Sequence, residues 1–245
     1  MYILCMENES ENNSIIPEKF KVLSGSALKT LALVFMIMDH VAHYLPDLFT
    51  AVVYTLPSGP RTVYRIMRNI GRISFPIYAF LLVEGFIHTK DRKKYGLRLL
   101  VFAVISEFPW DLVHVHKLVN LSSQNVFFTL FLGFAGMYLF ELFQNDRIKQ
   151  AVSLLILLVI SVFLKADYGI TGFCFIMMMY ALRERRLLKT VVGCGFLSST
   201  WHAGLAFIPI NLYNGKRGFI KGKALQYAYY AIYPLHLFIL YLITK

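Results

Sequence analysis

The side chains that could do chemistry in this sequence are ionisable residues inside long apolar runs. Asp39 and His40 are adjacent, and His43 follows His40 by about one helical turn, so a helix would bring the three towards one face. A carboxylate near an imidazole can orient the ring and raise its basicity, as a general base requires. We therefore predict that His40 and Asp39 are catalytic. A cluster exposed to water at a helix end is the alternative interpretation.

The same histidines could also hold a metal ion. His40 and His43 are spaced so that both could reach one ion. No second pair of His or Cys residues with recognised metal-ligand spacing supports such a site. We therefore predict that no metal is bound.

Carboxylates recur deeper in the apolar runs. Glu84 and Glu107 lie within them, and Asp111 follows Glu107 on the same helical face. A charge near the middle of a bilayer costs about 2.5–3.5 kcal/mol on insertion scales, so such groups indicate either function or pairing. We predict catalytic roles for Glu84 and Glu107. Ion pairs between helices, with Arg68 or Arg72, are the alternative.

An arginine stripe precedes the second apolar span. It consists of Arg61, Arg65, Arg68 and Arg72, whose spacing puts them on one helical face. An amphipathic helix that touches lipid headgroups would explain the stripe. An anion site folded towards the protein interior would explain it as well. Because Arg72 directly precedes the apolar span, it is the arginine that we expect to face inward and to be catalytic.

The composition places these residues in a membrane. The chain has 245 residues, of which 57% are hydrophobic and 16% charged, whereas soluble domains carry about 25% charged residues. The net charge of +11 comes from basic residues between apolar runs, as expected of loops that face anionic lipid. We predict the lipid bilayer, and no nucleic acid, as a partner. The odd number of cysteines predicts no disulfide framework.

The apolar runs predict a polytopic helical fold. A spanning helix needs about 20 mostly apolar residues, and unpaired strand edges do not persist in lipid. We predict an all-α transmembrane bundle of about 8–10 spans, some short or re-entrant, in one domain over residues 25–245. The predicted spans are 27–45, 73–87, 96–113, 126–143, 148–164, 170–182, 190–213 and 224–243, and the stretch 48–56 is too short to cross alone.

The loop charges predict the orientation. Basic residues cluster before the first span and after the second, fourth and sixth spans, which makes that side cytoplasmic. We predict a multi-pass protein of the cell membrane with a polar cytoplasmic tail over residues 1–24. If the run 190–213 crossed the bilayer once, the basic residues 216–223 would lie on the outer side. We therefore prefer a re-entrant hairpin there, broken near Trp201 and His202, which would return the chain to the cytoplasm.

Short motifs from about residue 25 to residue 240 resemble the TraX family, which is named for the F-pilin acetylation protein. They comprise Lys29, Met38-Asp39-His40, Gly71-Arg72-Ile73-Ser74-Phe75-Pro76, Glu84-Gly85-Phe86, Thr89, Lys94-Tyr95-x-x-Arg98-Leu99, Ser106-Glu107-x-Pro109, Phe128-Thr129-Leu130, Asp167-Tyr168-Gly169 and Tyr233-Pro234-x-His236. The resemblance implies an integral membrane acetyltransferase that uses acetyl-CoA, and the named member of the family acetylates the N-terminal amine of a pilin. The layout is also similar to transmembrane acyltransferases of cell-surface sugars, whose essential early histidine matches His40 by position.

The acceptor stays open. This chain has an additional polar N-terminal tail, and nothing in its sequence identifies a pilin. The acceptor could therefore be an amine or a hydroxyl, on a peptide N-terminus or on a cell-envelope molecule.

Joining the resemblance to the residues gives a mechanism. The phosphates of acetyl-CoA require Arg or Lys donors, and we predict Arg68, Lys94 and Arg98 for that role, with lipid contact as the alternative. His40 would deprotonate the acceptor, and Arg72 or Ser74 would stabilise the oxyanion.

Two points remain open in this mechanism. His40 falls near the outer end of its span, so acetyl-CoA from the cytoplasm would need a funnel past mid-bilayer or an acetyl-enzyme step. A proton-coupled transporter could also use buried Asp, Glu and His groups, although the sequence shows no convincing internal repeat.

Overall fold

Helices form most of the chain in the computed structural model, which describes residues 16–56 and 59–245. In chain order the elements are α1 (Gly25–Tyr44), β1 (Val52–Leu56), β2 (Gly59–Thr62), α2 (Val63–Gly71), α3 (Ser74–His88), α4 (Arg92–Val115), α5 (Val126–Leu142), α6 (Arg147–Phe163), α7 (Gly169–Ala181), α8 (Arg186–Phe196), α9 (Phe207–Asn211) and α10 (Lys223–Thr244). Residues 1–15 of the predicted cytoplasmic tail lie outside the described residues.

The predicted helical membrane fold is confirmed. The segments Gly25–Tyr44, Val63–His88 and Lys223–Thr244 are long and apolar enough to cross a bilayer, and α1, α3, α5, α6, α7 and α10 begin and end close to the predicted spans. Polar caps explain several of these boundaries. The side chains of Ser24, Asn125 and Asp146 accept hydrogen bonds from backbone N–H groups in the first turns of α1, α5 and α6, which would otherwise be unpaired.

The stretch 48–56 does not form an α-helix: it begins in a short 3₁₀ helix, Pro46–Phe49. Its last five residues form β1, which pairs antiparallel with β2 in a hairpin, with Val52 opposite Thr62 and Tyr54 opposite Arg61. The hairpin leads directly into α2, since β2 ends at Thr62 and α2 begins at Val63. The Val63 N–H donates to the Ala51 carbonyl at 3.0 Å, which ties the start of α2 to the residue before β1. The residues of the hairpin are too few to span lipid, and β-branched and aromatic side chains favour a strand.

The run 190–213 is broken, as predicted. Between α8 and α9 lies a 3₁₀ segment, Ser198–Ala206, in which Thr200 has non-helical backbone angles. The two arms return alongside each other, since Asn211 Nδ2 donates to Thr190 Oγ1 at 3.0 Å. This hairpin brings residues 212–217 back to the start of α1, where Leu23 N–H donates to the Leu212 carbonyl at 3.0 Å. The basic residues 216–223 therefore lie at the end of the bundle where α1 begins.

Helices α1 and α10 run parallel. The hydroxyls of Thr30 and Tyr229 are 2.8 Å apart near the start of the two helices, and His40 contacts His236 near their ends. We call the end where α1 and α10 begin the basic end of the bundle. We call the end with His40 and His236 the histidine end.

A glycine allows α2 to lie against α1. A Cβ atom at Gly71 would approach the Asp39 carboxylate oxygen Oδ1 to 2.6 Å, a distance that real Cβ atoms do not tolerate. The absence of a side chain at Gly71 therefore lets the arginine-bearing helix α2 meet the half of α1 that carries Asp39 and His40.

Candidate active site

A cavity of about 220 Å³ lies inside the bundle. Its walls come from α1, the α2–α3 junction, α4, the start of α5, the loop before α7, and α10. It extends from Lys29 at the basic end to His40 and His43 at the histidine end. His40 follows Lys29 by eleven positions in one helix, a separation of about 16 Å along the axis. The cavity therefore has the reach of the predicted funnel.

His40 lines this cavity and contacts a second histidine. Its Nδ1 atom is 2.6 Å from Nε2 of His236. The two rings are nearly parallel, at an interplanar angle of 8°, with centroids 5.0 Å apart. His236 is buried and its other nitrogen, Nδ1, is 2.9 Å from the Ile232 carbonyl oxygen. The sequence indicated an ionisable group at His236 but gave no sign that it pairs with His40.

The structure corrects the expectation that Asp39 orients His40. The Asp39 carboxylate instead forms an ion pair with Arg68, with 2.8 Å between Oδ2 and Nη1. Both side chains are largely buried, with 14% and 19% of their surfaces exposed. Consecutive residues of a helix point about 100° apart, so Asp39 faces α2 while His40 faces α10. The other Asp39 oxygen, Oδ1, is buried and has no hydrogen-bond partner among the described residues.

Arg72 faces the cavity, as expected for the inward-facing arginine of the stripe. Arg68 and Arg72 both line it, whereas Arg65 is exposed on the outer face of α2. The Arg72 guanidinium lies next to the Tyr168 hydroxyl and within electrostatic range of Asp39 and Asp167. The histidine end therefore combines an imidazole with two cations and two carboxylates.

The loop before α7 contributes two residues of the motif Asp167-Tyr168-Gly169, to which the sequence assigned no role. Asp167 and Tyr168 line the cavity. The Tyr168 ring stacks on Phe75 with centroids 3.9 Å apart, and the Thr129 hydroxyl donates to the Asp167 carbonyl. Tyr168 has a positive φ of 65°, an uncommon backbone state that is costly for a bulky residue. These contacts hold Asp167 beside Arg72.

Burial raises the pKa of Asp167 from 3.8 to about 6, because the charged form loses hydration. A raised pKa means that the folded protein holds the proton more tightly than the unfolded chain does. The stabilisation is complete below about pH 4 and is lost as the pH rises through about 6. The difference between the two pKa values corresponds to at most about 3 kcal/mol.

We therefore predict that Asp167→Asn raises the melting temperature of the detergent-solubilised protein at pH 7, and that the gain disappears near pH 4. The amide mimics the neutral carboxyl and removes the cost of the buried charge. Thermal unfolding of both proteins across pH 4–7 measures the effect, with the exposed Asp47→Asn as control. A pH-independent difference between Asp167→Asn and wild type would contradict the prediction.

Aromatic residues complete the histidine end. Tyr44 forms a hydrogen bond with His114 Nδ1 at 2.7 Å, and the His114 ring lies 3.8 Å from Trp110 between centroids. His114 is only partly exposed, because Trp110 lies one helical turn earlier and covers the ring. His43 is exposed and contacts Tyr44, with ring centroids 4.8 Å apart.

The structure does not bring Glu84 or Glu107 to this cavity. Glu107 accepts hydrogen bonds from the backbone N–H and the side-chain amide of Asn125, at 3.2 and 2.5 Å. It therefore sits at the start of α5, where a negative charge is favourable. Glu84 lies 3.6 Å from His88, one turn away, and close to Lys189. Neither carboxylate pairs with Arg68 or Arg72, the alternative that the sequence left open.

Lys94 also lies away from the cavity. It is exposed at the start of α4 and forms an ion pair with Asp91 at 2.9 Å. Asp91 caps α4, since its side chain accepts from the Lys94 N–H. This position does not support the predicted role of Lys94 in binding the phosphates of a ligand in the cavity.

Three cations lie near one another at the basic end, and one of them, Lys29, lines the cavity. Arg98 and Arg217 lie close enough to repel its ammonium electrostatically. Arg217 is fixed by its carbonyl oxygen, which accepts from the N–H and the hydroxyl of Ser26 at 2.8 and 2.7 Å. Within the described part of the chain none of the three forms an ion pair. We call Lys29, Arg98 and Arg217 the cation cluster.

Residues 16–56 and 59–245 contain no group of three or more His, Cys, Asp or Glu side chains that could bind one metal ion. His40 and His43 point to different neighbours, His236 and Tyr44. The chemistry that this site offers is acid–base and electrostatic, from His40, Arg68 and Arg72.

Comparison with known proteins identifies the family. A family model described as TraX protein matches residues 24–244. The "Probable fimbrial assembly protein FimC, serogroup H1" of Dichelobacter nodosus is 27% identical over 246 residues, covering 89% of this chain and 94% of the relative. No solved structure matches the chain. Because the family model extends from the residue that caps α1 to the last turn of α10, this membrane protein belongs to the TraX family.

Proposed function

We propose that this protein transfers an acetyl group from acetyl-CoA to an amine or hydroxyl acceptor, with His40 as general base. The observation that carries the proposal is the cavity itself, which joins His40 and two arginines at one end to Lys29, the member of the unneutralised cation cluster that lines it, at the other. A pilin-type subunit is the acceptor that we favour, since the relative from Dichelobacter nodosus is named for fimbrial assembly.

The cavity matches acetyl-CoA in charge. The donor carries phosphates at one end and an uncharged thioester at the other. The cation cluster supplies Lys29, Arg98 and Arg217 for the phosphates. Arg98 has a buried Nε atom without a hydrogen-bond partner among the described residues, so a phosphate oxygen would satisfy a donor that is otherwise unpaired.

The cavity also matches acetyl-CoA in length. The pantetheine arm has about thirteen bonds between its sulfur and the nearest phosphorus, and an extended chain advances by roughly 3.6 Å for every three bonds, which gives about 16 Å. This equals the axial separation of Lys29 and His40. A donor with its phosphates on the cation cluster would therefore place its thioester beside His40, without an acetyl-enzyme step. By the positive-inside rule we place the basic end in the cytoplasm, with the N-terminus.

The reaction follows from the groups at the histidine end. His40 takes a proton from the acceptor nitrogen or oxygen as that atom attacks the thioester carbonyl. The carbonyl oxygen becomes negatively charged, and Arg72, together with Arg68, is placed to stabilise it. Collapse of this intermediate forms the new acyl bond and breaks the carbon–sulfur bond. The proton on His40 then passes to the departing thiolate of CoA.

Purified protein in nanodiscs, incubated with radiolabelled acetyl-CoA and native membranes, tests the proposal. We expect label to pass to an acceptor, and Lys29→Gln to raise the KM for acetyl-CoA by about tenfold, the effect of one charged contact of about 1.4 kcal/mol. Acetyl-pantetheine lacks the phosphates, so its KM should not change. Lys149→Gln, an exposed lysine far from the cavity, is the matched control.

A different result would favour the transporter. If no acceptor becomes labelled and the protein in liposomes drives proton-coupled uptake without CoA, the proposed function is wrong. An unchanged KM in Lys29→Gln, with active wild-type protein, would move the phosphate site elsewhere.

A further inference from the structure

The contact between His40 and His236 determines where the protons lie. The Ile232 carbonyl oxygen can only accept a hydrogen bond, so His236 Nδ1, 2.9 Å away, carries a proton and donates it. In a neutral imidazole the second nitrogen then has a lone pair. Nε2 of His236 is therefore an acceptor.

The same reasoning extends to His40. Its Nδ1 lies 2.6 Å from the acceptor nitrogen of His236, so Nδ1 of His40 carries the proton in this hydrogen bond. Neutral His40 then has its lone pair on Nε2. No hydrogen bond from Nε2 to any residue in the described ranges is present, and the ring lines the cavity.

We propose that His236 is a positioning residue that fixes the tautomer of His40, so that the basic Nε2 atom faces the cavity. This inference rests on the proposed function and explains how His40 performs it. In the reaction the acceptor's proton is added to Nε2 while the Nδ1–H bond to His236 stays intact. The two rings meet edge to edge and are nearly coplanar, 8° from parallel, which also holds the imidazole plane of His40 in one orientation.

Asp39 cannot take this role in the folded protein. Its carboxylate is bound to Arg68, and it lies on the side of α1 that faces α2. Because the imidazole of His236 is neutral, its hydrogen bond with His40 adds no buried negative charge. A carboxylate in its place would need a partner of its own. The burial of His236 in α10 protects the hydrogen bond from water.

Nitrogen-15 NMR of histidine-labelled wild-type protein in nanodiscs tests the tautomer directly. The chain has seven histidines, and the signals of His40 are identified by their loss in His40→Asn. We expect a protonated Nδ1 and an unprotonated Nε2 for neutral His40. A protonated Nε2, or rapid exchange between both tautomers, would overturn the proposal.

Two variants of His236 test the role in catalysis. His236→Gln keeps an oxygen that can accept from His40 Nδ1–H, whereas His236→Leu keeps much of the volume and offers no acceptor. We expect His236→Leu to lower kcat by about 100-fold with the KM for acetyl-CoA unchanged, and His236→Gln to stay within about tenfold of wild type. Equal losses in both variants, or wild-type turnover in His236→Leu, would overturn the proposal.

These results separate the two proposals. If the wild-type protein transfers no acetyl group, the proposed function fails. A protonated Nε2 in an active enzyme overturns only the role of His236.

Discussion

Replacing His40 with asparagine is expected to lower the rate of acetyl transfer by about 10²–10⁴-fold, the usual contribution of a positioned general base. Asparagine keeps a polar side chain towards His236 but has no nitrogen that can take a proton. The loss should appear in kcat, because the proposed site for the donor phosphates, near Lys29, is about 16 Å away. Steady-state kinetics with radiolabelled acetyl-CoA in nanodiscs measures both parameters.

The control for this prediction is another histidine of the bundle. His88 is 69% exposed in its side chain and lies outside the cavity, so His88→Asn should turn over at close to the wild-type rate. Elution of His40→Asn as a monodisperse peak, with the circular dichroism of wild type, would show that it is folded. Near-normal turnover by the folded His40→Asn protein would mean that a different group is the base.

The helical framework could be predicted because its causes are local. A span must be about 20 apolar residues long, and such runs are visible in one sequence. The caps Ser24, Asn125 and Asp146 precede them directly. Even the re-entrant hairpin was predictable, since the basic residues 216–223 required a return to the side where the chain began.

The contacts within the site could not be predicted in the same way. His40 and His236 are 196 positions apart in sequence, and local spacing holds no information on which span faces which. The adjacency of Asp39 and His40 favoured a pair that helix geometry does not allow, because neighbours point in different directions. Glu107 resembled a functional charge, although it caps α5 together with Asn125.

The place of two loop residues in the site could not be predicted from local sequence either. Asp167 and Tyr168 fall at the start of α7, where polar residues usually serve as caps. Only the fold shows that this loop turns inward to meet Arg72 and Phe75. The motif Asp167-Tyr168-Gly169 was itself part of the family resemblance, and that was the one signal in the sequence that pointed to it.

Replacing Arg68 with methionine is expected to lower the free energy of unfolding by about 3–5 kcal/mol, the cost of removing one partner of a buried ion pair. The Asp39 carboxylate would be left with Oδ2 unpaired, in addition to Oδ1, which already has no partner among the described residues. Denaturant unfolding in detergent measures the loss. Arg65→Met, on the exposed face of the same helix, should change stability by well under 1 kcal/mol.

The double variant Arg68→Met with Asp39→Asn distinguishes stability from catalysis. Removing both charges leaves no unpaired ion, so most of the lost stability should return. If it does not return, the two side chains are not coupled as the 2.8 Å contact indicates. If the folded double variant transfers acetyl at the wild-type rate, the pair only holds α2 against α1. If it is folded but slow, the charged pair of Asp39 and Arg68 acts on the reaction in addition to Arg72.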